Sequence, residues 1–312
     1  MERRQIALYL LALACGAALG AIFPALSGPF ESSINTVLGL LLFATFLGIP
    51  FGNMGRSVKD WRFMGAILTL NFLLVPLVVF GLSRFVADNQ ALLIGVLLVL
   101  LTPCVDYVIV FSGLAGGASD RLLAAAPILM LAQMALLPLY LLLFAGQGVV
   151  SEIEPGPFLE ALLVLIVLPL ILAALTQKWA GRAVAGRTVM TIMQGAMVPL
   201  MMATLAVVVG SQIARVGQDI TSLLAVIPLY AAFLVIMVPL GLAVARMAKL
   251  NPPSSTAVIF SGGTRNSLVV LPLALALPET LSLVALVVMT QTLVELIGML
   301  AYVRFIPRLM AR

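Results

Sequence analysis

Between residues 5 and 305 the chain is a succession of ten apolar runs, each near the ~20 residues that a helix needs to cross a bilayer core. They lie at about residues 5–23, 33–52, 62–84, 90–117, 121–146, 156–177, 187–211, 219–247, 252–277 and 280–305, joined mostly by short connections. Only 9% of the 312 residues are charged and the mean hydropathy is +1.21, whereas soluble domains carry about 25% charged residues. The fold class this predicts is an all-α integral membrane protein, with residues 1–312 as one transmembrane unit and no soluble domain. The apolar stretch that follows Arg3 and Arg4 is read as the first membrane helix, not a cleaved signal, because nine further spans follow it.

The net charge of +5 and the pI near 9.6 do not point to nucleic acid, because the basic residues sit in short clusters between spans. Placing the N-terminus in the cytoplasm puts 14 of the 17 Lys and Arg residues on the inside, leaving Arg84 and Arg215 outside and Arg265 within a span. A multi-pass protein of the cell (inner or plasma) membrane with both termini cytoplasmic is expected, the lipid bilayer being its surroundings. Five spans on each side of the loop at 147–157 suggest duplication, with residues 1–146 as one repeat and 156–312 as the other. LLFATFLGIPFG at 41–52 aligns with LMMATLAVVVGS at 200–211, an offset of 159, and Asp106 aligns with Asn266 at 160. Since five is odd, the second repeat enters from the opposite side and is inverted.

Two of the runs are interrupted. Residues 99–117, VLLTPCVDYVIVFSGLAGG, place Thr102, Pro103, Cys104 and Asp106 in mid-span. Pro103 removes an intrahelical hydrogen bond and clashes with the preceding turn, so the helix must break there. Asp106 at mid-membrane costs about 2.5–3.5 kcal/mol on insertion scales. The run at 257–278 is interrupted by Ser261, Gly262, Gly263, Thr264, Arg265 and Asn266, with the two glycines expected to release the backbone. Discontinuous spans at corresponding positions of two halves point to a solute or ion site at the midplane.

A single Arg and a single Asp in the two breaks invite a pair, either a structural one or a switch in which Asp106 takes a proton and releases Arg265. Cys104 is either a small buried side chain or a soft ligand for a thiophilic solute. Glu295, with Gln291 one turn before it, is a buried carboxylate that either titrates or bonds to a neighbouring helix. Gln133 is kept among the binding candidates for its depth, although it, Asn71 and Gln194 also read as amide glue between helices. The methionines at 190, 193, 197, 201 and 202 read as apolar packing. Cys15 and Cys104 give no metal spacing, and no nucleotide-binding glycine loop is present. No enzymatic activity, cofactor or structural metal is therefore expected, and transport must draw on an ion gradient, the membrane potential or a partner.

With these features the whole length resembles the superfamily that joins the bile acid:sodium symporters and the arsenical-resistance-3 transporters. The resemblance implies ten transmembrane helices as two inverted five-helix repeats, helices 4 and 9 broken and crossing at the site. It also implies a panel domain from spans 1, 2, 6 and 7, a core domain from spans 3–5 and 8–10, and alternating access. The sodium symporters carry Glu, Gly and Gln-Asn in the ninth span. Alignment on Asn266 puts Ser261 at that Glu and Arg265 at that Gln, so sodium is expected to be lost there. The arsenite exporters place a cysteine beside a proline in the fourth span, and TPCVDYVIVFSGLAGG fits that pattern with Cys104. The expectation is a proton-coupled exporter of an arsenite- or antimonite-like metalloid, with Asp106 or Glu295 as the titrating group. Its runner-up is a sodium-independent carrier of small organic anions held by Arg265 and the half-helix N-termini. A sensor that kept the transporter fold is the third possibility.

Overall fold

The computed structural model describes residues 2–48, 60–105, 107–145, 156, 160 and 163–310. Among them every extended element is helical, and six helical stretches are long and apolar enough to cross a membrane: Pro24–Leu47, Trp61–Val86, Ser119–Ala145, Val184–Ser211, Leu223–Met247 and Leu283–Met310. Gln90–Leu100 and Leu11–Ile22 are apolar but shorter. The chain divides into two compact units, one formed by Met1–Ile49 with Pro155–Ile220, the other by Pro50–Glu154 with Thr221–Arg312. Expected spans 1, 2, 6 and 7 fall almost entirely in the first unit, and spans 3–5 and 8–10 in the second.

In the first unit, α1 (Glu2–Ile22) and α2 (Ser27–Leu47) are joined by a short 3-10 turn at Pro24–Leu26. The buried stripe Ile34, Leu38, Leu41, Leu42 and Thr45 on α2 has helical spacing and faces the unit's core.

The second unit begins with α3 (Trp61–Thr69), whose N-cap Asp60 accepts from Phe63 N–H at 3.3 Å. A π-helical turn at Leu70–Leu74 leads into α4 (Val75–Ser83), and α5 (Gln90–Leu100) starts on an Asn89 cap that accepts from Leu92 N–H at 3.1 Å. Ala91 to Leu100 are all buried, so α5 is apolar all round because protein surrounds it. After a non-helical stretch come α6 (Tyr107–Leu114) and α7 (Ser119–Ala145).

Returning to the first unit, a π-helical turn at Leu163–Val167 leads into α8 (Leu168–Ala180), which packs on α2. Gln177 donates there to Phe46 O and Leu47 O at 3.3 and 3.2 Å, and Gln194 to Leu47 O at 3.4 Å. The role of amide glue that Gln194 was expected to play is thus met.

A correction concerns the connection expected near 212–218. One helix, α9 (Val184–Met247), runs unbroken for 64 residues through it. The segment SQIARVGQDI is polar enough to read as a loop, but it holds no proline and one glycine, and nothing in it stops a helix. What ends α9 is Lys249 at φ 54°, with Leu250 N–H bonded back to Ala245 O at 3.0 Å. The second unit is completed by α10 (Pro252–Gly263), α11 (Ser267–Leu275) and α12 (Leu283–Met310). Asn251 caps α10, accepting from Ser254 N–H at 3.1 Å, and two prolines occupy the first positions where no N–H is needed.

Candidate functional site

Both interruptions lie in the second unit and they meet each other. Pro103 and Arg265 form an antiparallel bridge: Cys104 N–H donates to Thr264 O at 3.2 Å, and Asn266 N–H donates to Thr102 O at 2.8 Å. In this register the bonds flank the central pair, so the missing N–H of Pro103 leaves no vacancy in the bridge. The two helices break alike. Thr102 Oγ1 lies 3.1 Å from Leu98 O and 3.0 Å from Val99 O, and Thr264 Oγ1 donates to Phe260 O at 2.8 Å. Each threonine bonds back onto the last turn and eases the chain out of the helix. On the far side Asn266 restarts α11 by accepting from Val269 N–H at 3.3 Å.

Gly262 and Gly263 do not release the backbone as expected. Both remain in the last turn of α10, and the chain turns extended only at Thr264 (φ −93°, ψ 137°). Their smallness admits neighbours instead, since a Cβ on Gly262 would lie 2.7 Å from Leu70 Cδ2 and one on Gly263 2.7 Å from Tyr302 Cε2.

Arg265 is wholly buried, and its guanidinium is held by neutral oxygens. Nη2 donates to Gly262 O at 2.6 Å, Ser261 O at 2.7 Å and Asn71 Oδ1 at 2.8 Å, and Nη1 donates to Leu100 O at 3.3 Å. Three of these acceptors are carbonyls at the C-terminal ends of α5 and α10, where the helix leaves them unpaired and the dipole favours a cation. The Phe233 ring lies 5.4 Å away. Asn71 completes the cage: its Nδ2 donates to Ser261 Oγ at 2.9 Å and Ile67 O at 3.1 Å.

Glu295, also wholly buried, meets Arg265 through the main chain. Its Oε2 accepts from Arg265 N–H at 2.8 Å and from the Gln291 amide, and its Oε1 lies 2.6 Å from Tyr107 Oη, which is also 2.8 Å from Arg265 O. The carboxylate therefore pins the extended link at the crossing rather than the guanidinium.

Of the expected site residues, Thr102, Pro103, Cys104, Gly262, Gly263, Thr264, Arg265, Asn266 and Glu295 are brought together here. Asp106 lies outside the described residues, and so does its pairing with Arg265. Cys104 is fully buried and forms no disulfide. Gln133 is buried on α7 with Oε1 unpartnered and makes none of the hydrogen bonds given above. Asn266 Nδ2, Gln291 Oε1 and Arg265 Nε are likewise buried without partners. Asn71 and Tyr107 were not foreseen as part of the cluster. The signal available for Asn71 was a lone amide in an otherwise apolar run, which sits on a π-helical turn of the kind frequent at functional sites.

The sequence profile of the SBF-like CPA transporter family matches residues 7–303. The chain is also similar to the uncharacterized sodium-dependent transporter YocS of Bacillus subtilis (strain 168), with 26% identity over 252 residues, 80% of this chain and 76% of that one.

Proposed function

Because the chain belongs to the SBF-like CPA transporter family, we propose that it is a secondary carrier, not an enzyme, moving a small solute by alternating access at the crossing of α5–α6 with α10–α11. The observation that carries this reading is the bridge between Pro103 and Arg265, which joins two broken helices around a buried polar cluster in a multi-pass membrane protein. The ten-span layout, the inverted repeats of 1–146 and 156–312 and the cytoplasmic termini are part of the proposal. The matched breaks and their back-bonded threonines support the repeat.

The described arginine and carboxylate of the cluster are engaged by protein, Arg265 through its Nη atoms by four acceptors and Glu295 by three donors. The buried atoms of the cluster without a hydrogen-bond partner are Asn266 Nδ2 and Gln291 Oε1, both on neutral amides, and Arg265 Nε. Two neutral amide atoms suit a neutral hydroxylated solute, arsenite or antimonite as its trihydroxide, whereas a carboxylate would find only the single Nε–H of a guanidinium whose Nη atoms are already taken. Protons are the proposed coupling ion, since protonating Glu295 would withdraw an acceptor from Arg265 N–H and loosen the crossing. Reconstituted into proteoliposomes, the protein is expected to move arsenite down an imposed pH gradient without sodium, and Cys104→Ser to abolish this. Undiminished arsenite transport by Cys104→Ser, or transport of carboxylates alone, overturns the choice of solute.

A further inference from the structure

We propose that the oxygens around Arg265 form a monovalent-cation site whose resident occupant is the chain's own guanidinium, so that this carrier holds a tethered cation where a free one could otherwise bind. Nη2 is surrounded by Gly262 O, Ser261 O and Asn71 Oδ1 at 2.6–2.8 Å, with Leu100 O on Nη1 at 3.3 Å. Convergent neutral carbonyl oxygens of this kind replace the hydration shell of an alkali cation. None of these acceptors is a carboxylate, and divalent hard cations draw on carboxylate ligands, so the cage suits a single positive charge. The nearest described carboxylate, Glu295, is bonded to the main chain of Arg265 and not to its head group. Two helix C-termini supply the field, and Asn71 is braced by Ser261 Oγ, so the cage is built by elements that do not depend on the arginine side chain.

A tethered ion cannot dissociate. It holds the ends of α5 and α10 together throughout the cycle, and this site therefore contributes no sodium coupling. The inference gives meaning to the proposed sodium-independent transport, but it is tested by binding alone, so its failure would leave the Cys104 experiment untouched.

The probes are sodium, potassium and guanidinium chlorides against choline chloride at equal ionic strength, read as melting temperature of the purified protein. Wild type is expected to show no difference among the four salts. Arg265→Ala is expected to melt lower in choline and to gain a saturable rise in one or more of the other three, which the added Asn71→Ala change removes. Arg265→Lys, which keeps a cation in the cage and is the milder change, is expected to be as salt-indifferent as wild type. A saturable sodium shift in wild type or Arg265→Lys that Asn71→Ala abolishes overturns the proposal. So does an Arg265→Ala protein that folds and responds to none of the three cations.

Discussion

Replacing Glu295 separates its role as a hydrogen-bond acceptor from its role as a charge. Its oxygens meet three donors, Arg265 N–H at 2.8 Å, Tyr107 Oη at 2.6 Å and the Gln291 amide. In Glu295→Gln the new amide oxygen can serve Arg265 N–H and Gln291, while the new NH2 faces Tyr107, whose hydroxyl can turn to Arg265 O at 2.8 Å. No donor is stranded, and what is lost is charge assistance, roughly 1 kcal/mol per bond and about 1–3 kcal/mol in all. Glu295→Ala strands two buried donors at about 1–3 kcal/mol each and leaves Arg265 without its nearest described carboxylate, for a total of about 3–5 kcal/mol. Unfolding of the purified variants in detergent should therefore rank wild type, Gln and Ala, with a gap of about 2 kcal/mol between the last two. Tyr107→Phe should cost less in the Gln background than in wild type. Equal stability of the Ala and Gln variants would refute the account of Glu295 as the acceptor that pins the crossing.

Gly263→Ala should destabilise by about 1–3 kcal/mol, because its Cβ must displace the Tyr302 ring, whereas Gly65→Ala, with open space around it, should be neutral; unfolding midpoints compare the two. Pro103→Ala adds an N–H that the bridge register does not pair, so a loss of about 1–3 kcal/mol in unfolding free energy is expected, while amide exchange should show the Cys104 and Asn266 N–H bonds still protected. Asn251→Ala removes the cap of α10 and should lower unfolding free energy by about 1 kcal/mol. The Arg121–Asp60 pair at 2.5 Å is over a third exposed on both sides, so a double-mutant cycle should find no more than about 1 kcal/mol, falling with salt.

Where the helices break was legible because a proline and a run of small polar residues interrupt apolar sequence, and backbone rules act locally. The depth of Glu295 was legible for the same reason: hydropathy reports distance along a span. Rotation about the helix axis is what hydropathy leaves open, and it decides which carboxylate meets Arg265 and whether it does so through the head group or the main chain. Asn71 shows the limit most clearly, since a lone amide reads as glue in any span and only the partner 194 residues away makes it part of a cation cage. The length of α9 escaped because a polar stretch was weighed as a loop when no residue in it breaks a helix.

Breaking two helices at one place is physically easier than breaking either alone. A single interruption in hydrocarbon would leave N–H and C=O groups unpaired, each costing several kcal/mol. Here Thr102 O and Thr264 O receive the N–H groups of Asn266 and Cys104, so each break supplies the other's partners. The helix carbonyls left over at Leu100, Ser261 and Gly262 then converge, and a cluster of partial negative charge of that kind demands a cation. Arg265, one residue beyond the Thr264 that caps α10, can answer that demand from within the chain. Its own main-chain N–H, turned away from the cage by the extended link, is what Glu295 takes up. Bridge, cage and carboxylate are thus successive consequences of one local decision to leave the helix at Thr264.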